Sequence, residues 1–141
     1  MIRIFTKAAL ILMAVTVPVG ASAQAALEGK WANPKKSVIV NVAKCGDALC
    51  GTVSWASAKN REKGAGPGTR VLSDLKPLGD GTYRGRAYEP KRKINGSAIV
   101  SQQGPNVMIV KGCAFTNLLC KEQRWTRVSL SLIHISEPTR P

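Results

Sequence analysis

The sequence predicts an all-β fold of many short antiparallel strands, a barrel or a sandwich, and three observations predict it. Apolar residues alternate with polar ones at period two in five places, turn residues punctuate the runs between them, and no segment after the first two dozen residues sustains a helical period over three turns. Strand by strand, Val38, Val40 and Val42 share one face of 37–43, with Ile39 and Asn41 on the other. Val53 and Trp55 alternate with Thr52 and Ser54. Tyr83, Gly85 and Ala87 alternate with Arg84, Arg86 and Tyr88. Val107 and Ile109 face away from Met108 and Val110, and Gln123, Trp125 and Arg127 alternate with Arg124, Thr126 and Val128. Asn33-Pro34, Gly79-Asp80-Gly81, Glu89-Pro90, Asn95-Gly96 and Gly104-Pro105 read as turns. The stretch 72–77 reads at most as a short helical turn, and 59–68 as one long polar, glycine-rich loop.

Both ends fall outside this domain. Residues 1–23 have the three parts of a secretory signal: Arg3 and Lys7, the apolar run 8–17, and the small residues Ala21-Ser22-Ala23 before the expected cleavage, with Ala25 as the second candidate site. The apolar run is too short to span a hydrocarbon core of roughly 30 Å as a permanent helix, so no integral membrane segment is expected after cleavage. At the other end, residues 130–140 back-translate to a transposase adapter of the kind used to prepare sequencing libraries. Residues 130–141, including His134, the only histidine, are therefore set aside as not native. The domain expected to fold is 24–129, a length suited to a single core.

Within that domain 18 Lys and Arg stand against 7 Asp and Glu, a net charge of +11. Two basic clusters carry it: Lys91-Arg92-Lys93 with Arg84 and Arg86, and Lys59, Arg61, Lys63 and Arg70. In the cytosol such clusters would point to nucleic acid, but export argues against that partner and for an anionic envelope lipid or polymer. The competing reading is a basic soluble surface with no dedicated partner.

The four cysteines fall into two short-range sets, Cys45 with Cys50 and Cys113 with Cys120. Local pairing in an oxidising compartment is the leading reading of the three possible connectivities, and Gly46-Asp47-Ala48-Leu49 is a hairpin-sized connection that would set Cys45 opposite Cys50. Redox catalysts of the thioredoxin kind use two intervening residues rather than four or six, and a four-cysteine zinc site usually needs two closely spaced pairs. Without His134 no general base for a nucleophilic triad remains, and no phosphate-cradling glycine loop occurs. Glu89, at a strand end after Tyr88, is the least implausible carboxylate for chemistry. Catalytic, cofactor-binding and metal-binding residues are thus expected to be none.

Gly29-Lys30-Trp31 with Asn33-Pro34, 45–51 leading to Trp55, Gly85-Arg86-Ala87-Tyr88-Glu89-Pro90, Lys111-Gly112-Cys113, and Cys120 running into Arg124-Trp125-Thr126-Arg127 together resemble the bacterial domain-of-unknown-function 2147 family of exported proteins. The chain departs from the commoner pattern at 59–62, where many relatives carry an Asp- and Asn-Pro-containing stretch. The family is in turn similar to lipocalin-like (calycin) barrels, which carry a Gly-x-Trp on the first strand and an Arg on the last. The resemblance therefore implies a small closed antiparallel barrel in which Trp31 and Arg127 meet at the closure. It also implies a periplasmic or secreted, non-enzymatic protein that holds a small apolar or amphiphilic ligand. The alternative is a structural or interaction protein of the envelope with a filled barrel and a basic surface. A lumen packed solid would favour the second, a cavity the first.

Overall fold

The computed structural model describes residues 11–16, 26–115 and 118–128. The leader expected over 1–23 lies outside the described residues except for 11–16, which carry no regular secondary structure. The cleavage site, the tail 130–141 and His134 lie outside them altogether. Among the described residues no helix is long and apolar enough to cross a membrane.

Eight strands form one ring: β1 (Gly29–Ala32), β2 (Val38–Cys45), β3 (Ala48–Ala56), β4 (Arg70–Pro77), β5 (Thr82–Glu89), β6 (Ile94–Gln102), β7 (Val107–Ala114) and β8 (Leu119–Arg127), with a short helix α1 (Ala58–Glu62) between β3 and β4. Each strand pairs antiparallel with the next and β8 returns to β1, so the sheet is a closed barrel without a free edge. Strand pattern alone left barrel and sandwich open, the family resemblance implied a small closed barrel, and the structure is that barrel. The closing seam is its thinnest part, with two paired positions, Trp31 with Arg127 and Ala32 with Thr126.

Period-two alternation fills the lumen. Val40 and Val42 of β2, Ala98 and Val100 of β6, Met108 and Val110 of β7 and Trp125 of β8 are all buried, while Arg84, Arg86 and Arg124 stand on the outer wall. Burying a side chain of this size stabilises by roughly 1.5–3 kcal/mol, so the alternation is the main reason the ring holds one register. Towards the end that carries the β2–β3, β4–β5 and β6–β7 turns the lumen is filled by Leu27, Trp31, Val42, Leu75, Val100 and Met108, none more than 1% exposed, with a second pocket beside the β2–β3 turn lined by Leu49, Leu75, Pro77 and Tyr83.

Four expectations from pattern are overturned, each for a local reason. The stretch 72–77 is strand, not a helical turn: the β4–β5 register shifts between Ser73 and Lys76, and Asp74 takes a left-handed φ of 52°. That bulge inserts one residue, so Leu72 and Leu75 both point inward three positions apart and imitate helical spacing. Gly85 is the counterpart, because a Cβ there would run into the Ser73 and Asp74 backbone. Asn95-Gly96 is no turn but lies inside β6; Gly96 is needed because the Cys113 carbonyl sits where its Cβ would be. A bulge also separates Trp55 from Val53: Val40 pairs with Val53 but Ile39 with Trp55, so the phase slips and Ala56, not Trp55, is buried. Lastly, the long polar loop begins with α1, whose first turn is capped by Ser57: its hydroxyl accepts from the Asn60 backbone N–H at 3.4 Å and from the Asn60 amide at 2.8 Å.

Both cysteine sets are disulfides, Cys45–Cys50 and Cys113–Cys120. Cys113 and Cys120 are direct cross-strand partners. Cys45 is not opposite Cys50, as hairpin spacing implied, but opposite Ala48, with Cys50 facing Ala43, so that bridge runs diagonally.

Candidate ligand cavity and barrel closure

Above the packed half the lumen is open. A cavity of about 420 Å³ lies at the end formed by the start of β2, β4, β6 and β8 and the end of β3, β5 and β7. That is within the roughly 300–1,000 Å³ of small-molecule sites. Its inner wall is apolar: Val40, Val53, Leu72, Val110 and Trp125, with Val38, Val71 and Ile94 higher up. Trp125 is held in place by its indole N–H, which donates to the Gln123 side-chain oxygen at 2.9 Å. Two glycines, Gly96 and Gly112, line the same wall and widen it by having no side chain.

The rim is basic. Lys63 follows α1, Lys91 and Arg92 occupy the β5–β6 turn, and Lys121 stands on β8 in phase with Gln123 and Trp125; all four line the opening. Repulsion from Lys91 first, then desolvation, then repulsion from Lys59, draws the pKa of Lys63 below the ordinary lysine value. The acidic group at this opening, Glu89, is engaged by Arg92 at 3.8 Å across an exposed turn, a contact of small energetic weight.

The structure thus redistributes the two basic clusters seen in the sequence. Lys91 and Arg92 reach the mouth, and Lys93 is exposed in the same turn. Arg84 and Arg86 instead project from the outer wall of β5, opposite Ile99 and Ser97 of β6. Lys63, from the other cluster, meets Lys91 across the opening. Lys121, Phe115 and Leu119 also line the mouth and were not singled out. The signal for Lys121 was present: it stands four and six residues before Trp125 and Arg127, on the inward face.

At the closed end the Arg127 guanidinium lies over the Trp31 ring, 4.3 Å from its centroid. Its nitrogens donate to three backbone carbonyls, Nε to Pro105 at 2.6 Å, Nη1 to Glu28 and Nη2 to Ala26, both at 2.7 Å. Partial burial draws its pKa below the ordinary guanidinium value. Trp31 is fully buried and donates its indole N–H to the Leu27 carbonyl at 2.9 Å. Gly29 has φ +130°, and a Cβ there would collide with Arg127 Nη1. The Gly-x-Trp spacing therefore has a physical content: the glycine leaves room for the arginine that covers the tryptophan. Among the described residues no three His, Cys, Asp or Glu side chains come together in a way that could hold a metal ion.

A closed eight-stranded antiparallel barrel, with an arginine over a buried tryptophan at one end and a cavity at the other, is consistent with the lipocalin-like resemblance. The family model described as "Uncharacterized protein conserved in bacteria (DUF2147)" matches residues 29–127, which span β1 to β8, and the chain belongs to that family. No curated protein and no solved structure matches the chain.

Proposed function

We propose that this protein is a non-enzymatic binding barrel for a small amphiphile, whose apolar part enters the cavity and whose anionic head rests among Lys63, Lys91, Arg92 and Lys121. The observation that carries this reading is the layering of one cavity, an apolar wall below a basic rim. An apolar tail leaves water against Val40, Val53, Leu72 and Trp125, a gain of about 0.8 kcal/mol per buried methylene. An anionic head relieves the mutual repulsion of Lys63 and Lys91. The competing role, a structural protein with a filled barrel, fits the packed half of the lumen but leaves the open half unexplained. Two disulfides support a site of action outside the cytoplasm, and we place the protein in the periplasm or the secreted fraction.

The test is titration calorimetry with three probes of equal chain length, dodecanoate, dodecanol and dodecylamine. Dodecanoate is expected to bind most tightly and dodecylamine most weakly. Equal binding of all three would leave an apolar cavity without head-group selection, and no binding of any would refute the reading. Native mass spectrometry of protein purified from its own envelope then seeks the natural occupant.

A further inference from the structure

Among the described residues of the barrel, large apolar side chains that face solvent are unevenly placed. Phe115 is 61% exposed and Leu118 83% in the β7–β8 connection, and Leu119, the first residue of β8, is 61% exposed, all at the open end. The closed end has only Leu78, at 52%. Charge is as uneven. The connections at the open end carry Lys35 and Lys36, then Lys59, Arg61 and Lys63, then Lys91-Arg92-Lys93, with Glu62 and Glu89 against them. At the closed end Glu28, Asp47 and Asp80 stand against Lys30, Lys44, Lys76 and Arg127, a much smaller excess. The two asymmetries coincide: an apolar tip projects from the end that holds the excess of positive charge. The Cys113–Cys120 bridge ties the base of that tip between two strands, so its position does not depend on the loop alone.

An exposed apolar cluster inside a basic collar is the arrangement that binds a lipid interface, with apolar groups in the acyl boundary and cations over acidic head groups. We propose that the open end docks on an anionic membrane surface, with Phe115, Leu118 and Leu119 entering the interface and Lys63, Lys91, Lys93 and Lys121 facing acidic head groups. In that orientation the cavity mouth is turned toward the bilayer. The docking does not depend on what the cavity holds. A second copy of the chain is a poorer occupant for this face, because two such ends would bring two basic collars together.

The test is co-sedimentation with vesicles of phosphatidylcholine alone and of phosphatidylcholine mixed with phosphatidylglycerol, using the purified protein. The wild type is expected to bind the mixed vesicles well above the neutral ones. Each cation near an acidic surface is worth roughly fivefold in affinity, so Lys91→Glu with Lys93→Glu is expected to lose tenfold or more. Leu118→Ser, at a largely exposed position, and Phe115→Ser with Leu118→Ser are each expected to weaken binding and make the remainder more sensitive to salt. Leu118→Trp is expected to be quenched by brominated lipid, whereas the buried Trp31 is not. Failure of the wild type to bind acidic vesicles would overturn the proposal. So would serine variants that bind like wild type, since the attraction would then be net charge alone, or a charge reversal at Arg84 and Arg86 on the barrel wall that weakens binding equally. A dimer in solution that Leu118→Ser converts to monomer would assign this face to a second copy instead.

Discussion

Arg127 covers Trp31 at the one seam where the barrel closes, stacking 4.3 Å from the indole centroid while its nitrogens reach the carbonyls of Ala26, Glu28 and Pro105. The two residues are also direct cross-strand partners. One side chain thus joins the segment before β1, the β6–β7 turn and the end of β8, in a seam only two residue pairs long.

A double-mutant cycle on denaturant unfolding measures this coupling. Trp31→Ala removes a fully buried ring and is expected to cost about 3–5 kcal/mol. Arg127→Lys keeps the charge but loses the planar fork and the stacking, and is expected to cost about 1–3 kcal/mol. The coupling energy between the two is expected at roughly 0.5–2 kcal/mol. Arg124, which stands exposed on the outer face opposite Ile109, should show none. Coupling of Trp31 to Arg124 instead would mean the β8 register is wrong by three residues.

Gly29→Ala approaches the same seam from the other side. The added methyl meets Arg127 Nη1, and the backbone sits at a φ that side chains rarely adopt. The expected loss is on the order of 1–3 kcal/mol; the backbone share persists when Arg127 is already alanine, and only the share due to the Arg127 contact is relieved. Independent effects of the two changes would show that the glycine serves its own backbone only.

Non-reducing peptide mapping should return Cys45–Cys50 and Cys113–Cys120, and recovery of a Cys45–Cys120 link would contradict the fold. By loop closure each bridge contributes about 2 kcal/mol, little because the loops are short. The two differ in consequence. Replacing Cys45 and Cys50 by serine should lower stability and leave vesicle binding intact. Replacing Cys113 and Cys120 loosens the tip that bears Phe115 and Leu119, and should also weaken binding.

Much of this architecture was legible in the residues because a barrel with one buried face imposes strict alternation, and Val40, Val42, Met108, Val110 and Trp125 obey it. Legibility stopped where a bulge broke the phase. The stretch 72–77 looked helical because Asp74 was unrecognised as an inserted residue, and Trp55 shared a face with Val53 until the pairing of Ile39 and Val40 showed the slip. Gly96 looked like a turn because a glycine that makes room for a neighbouring carbonyl cannot be told from one that bends the chain. The site was harder still. Lys63 and Lys91 are 28 positions apart in sequence and meet only because the ring brings α1 to the β5–β6 turn.

Lys63 gives a prediction in which stability and binding move in opposite directions. Its folded-state pKa lies below the unfolded value because Lys91 repels its charge. Between the two values the unfolded chain binds more protons, so stability rises with pH through the alkaline window just below the ordinary lysine value. Lys63→Met should remove that rise and stabilise the unliganded protein slightly at neutral pH, less so at high salt because the group is exposed. The same change should weaken dodecanoate binding and leave dodecanol unaffected. A variant that lost stability at neutral pH would show that Lys63 is held by a favourable contact rather than by the repulsion found here.

The two glycines of the cavity wall should respond in opposite ways to the same methyl group. At Gly96 a Cβ would enter the space of the Cys113 carbonyl, which backbone cannot vacate cheaply, so Gly96→Ala should destabilise the barrel by roughly 1–3 kcal/mol. At Gly112 the nearest atom to an added Cβ is the Ala87 methyl at 3.7 Å, an ordinary contact, and the backbone has no positive φ. Gly112→Ala should therefore be neutral or stabilise by about 0.5–1 kcal/mol, as expected for removing a glycine from a strand. Gly112 points into the cavity beside Val110 and Trp125, so a longer side chain occupies the ligand's volume rather than solvent. Gly112→Leu fills close to three methylenes more than alanine, and at about 0.8 kcal/mol for each methylene of ligand displaced it should weaken dodecanoate binding by tenfold or more. Thermal unfolding and calorimetry on the same samples separate the two effects. Gly112→Leu that folds normally and binds dodecanoate as wild type would place the ligand outside the barrel, whatever the charges on the rim.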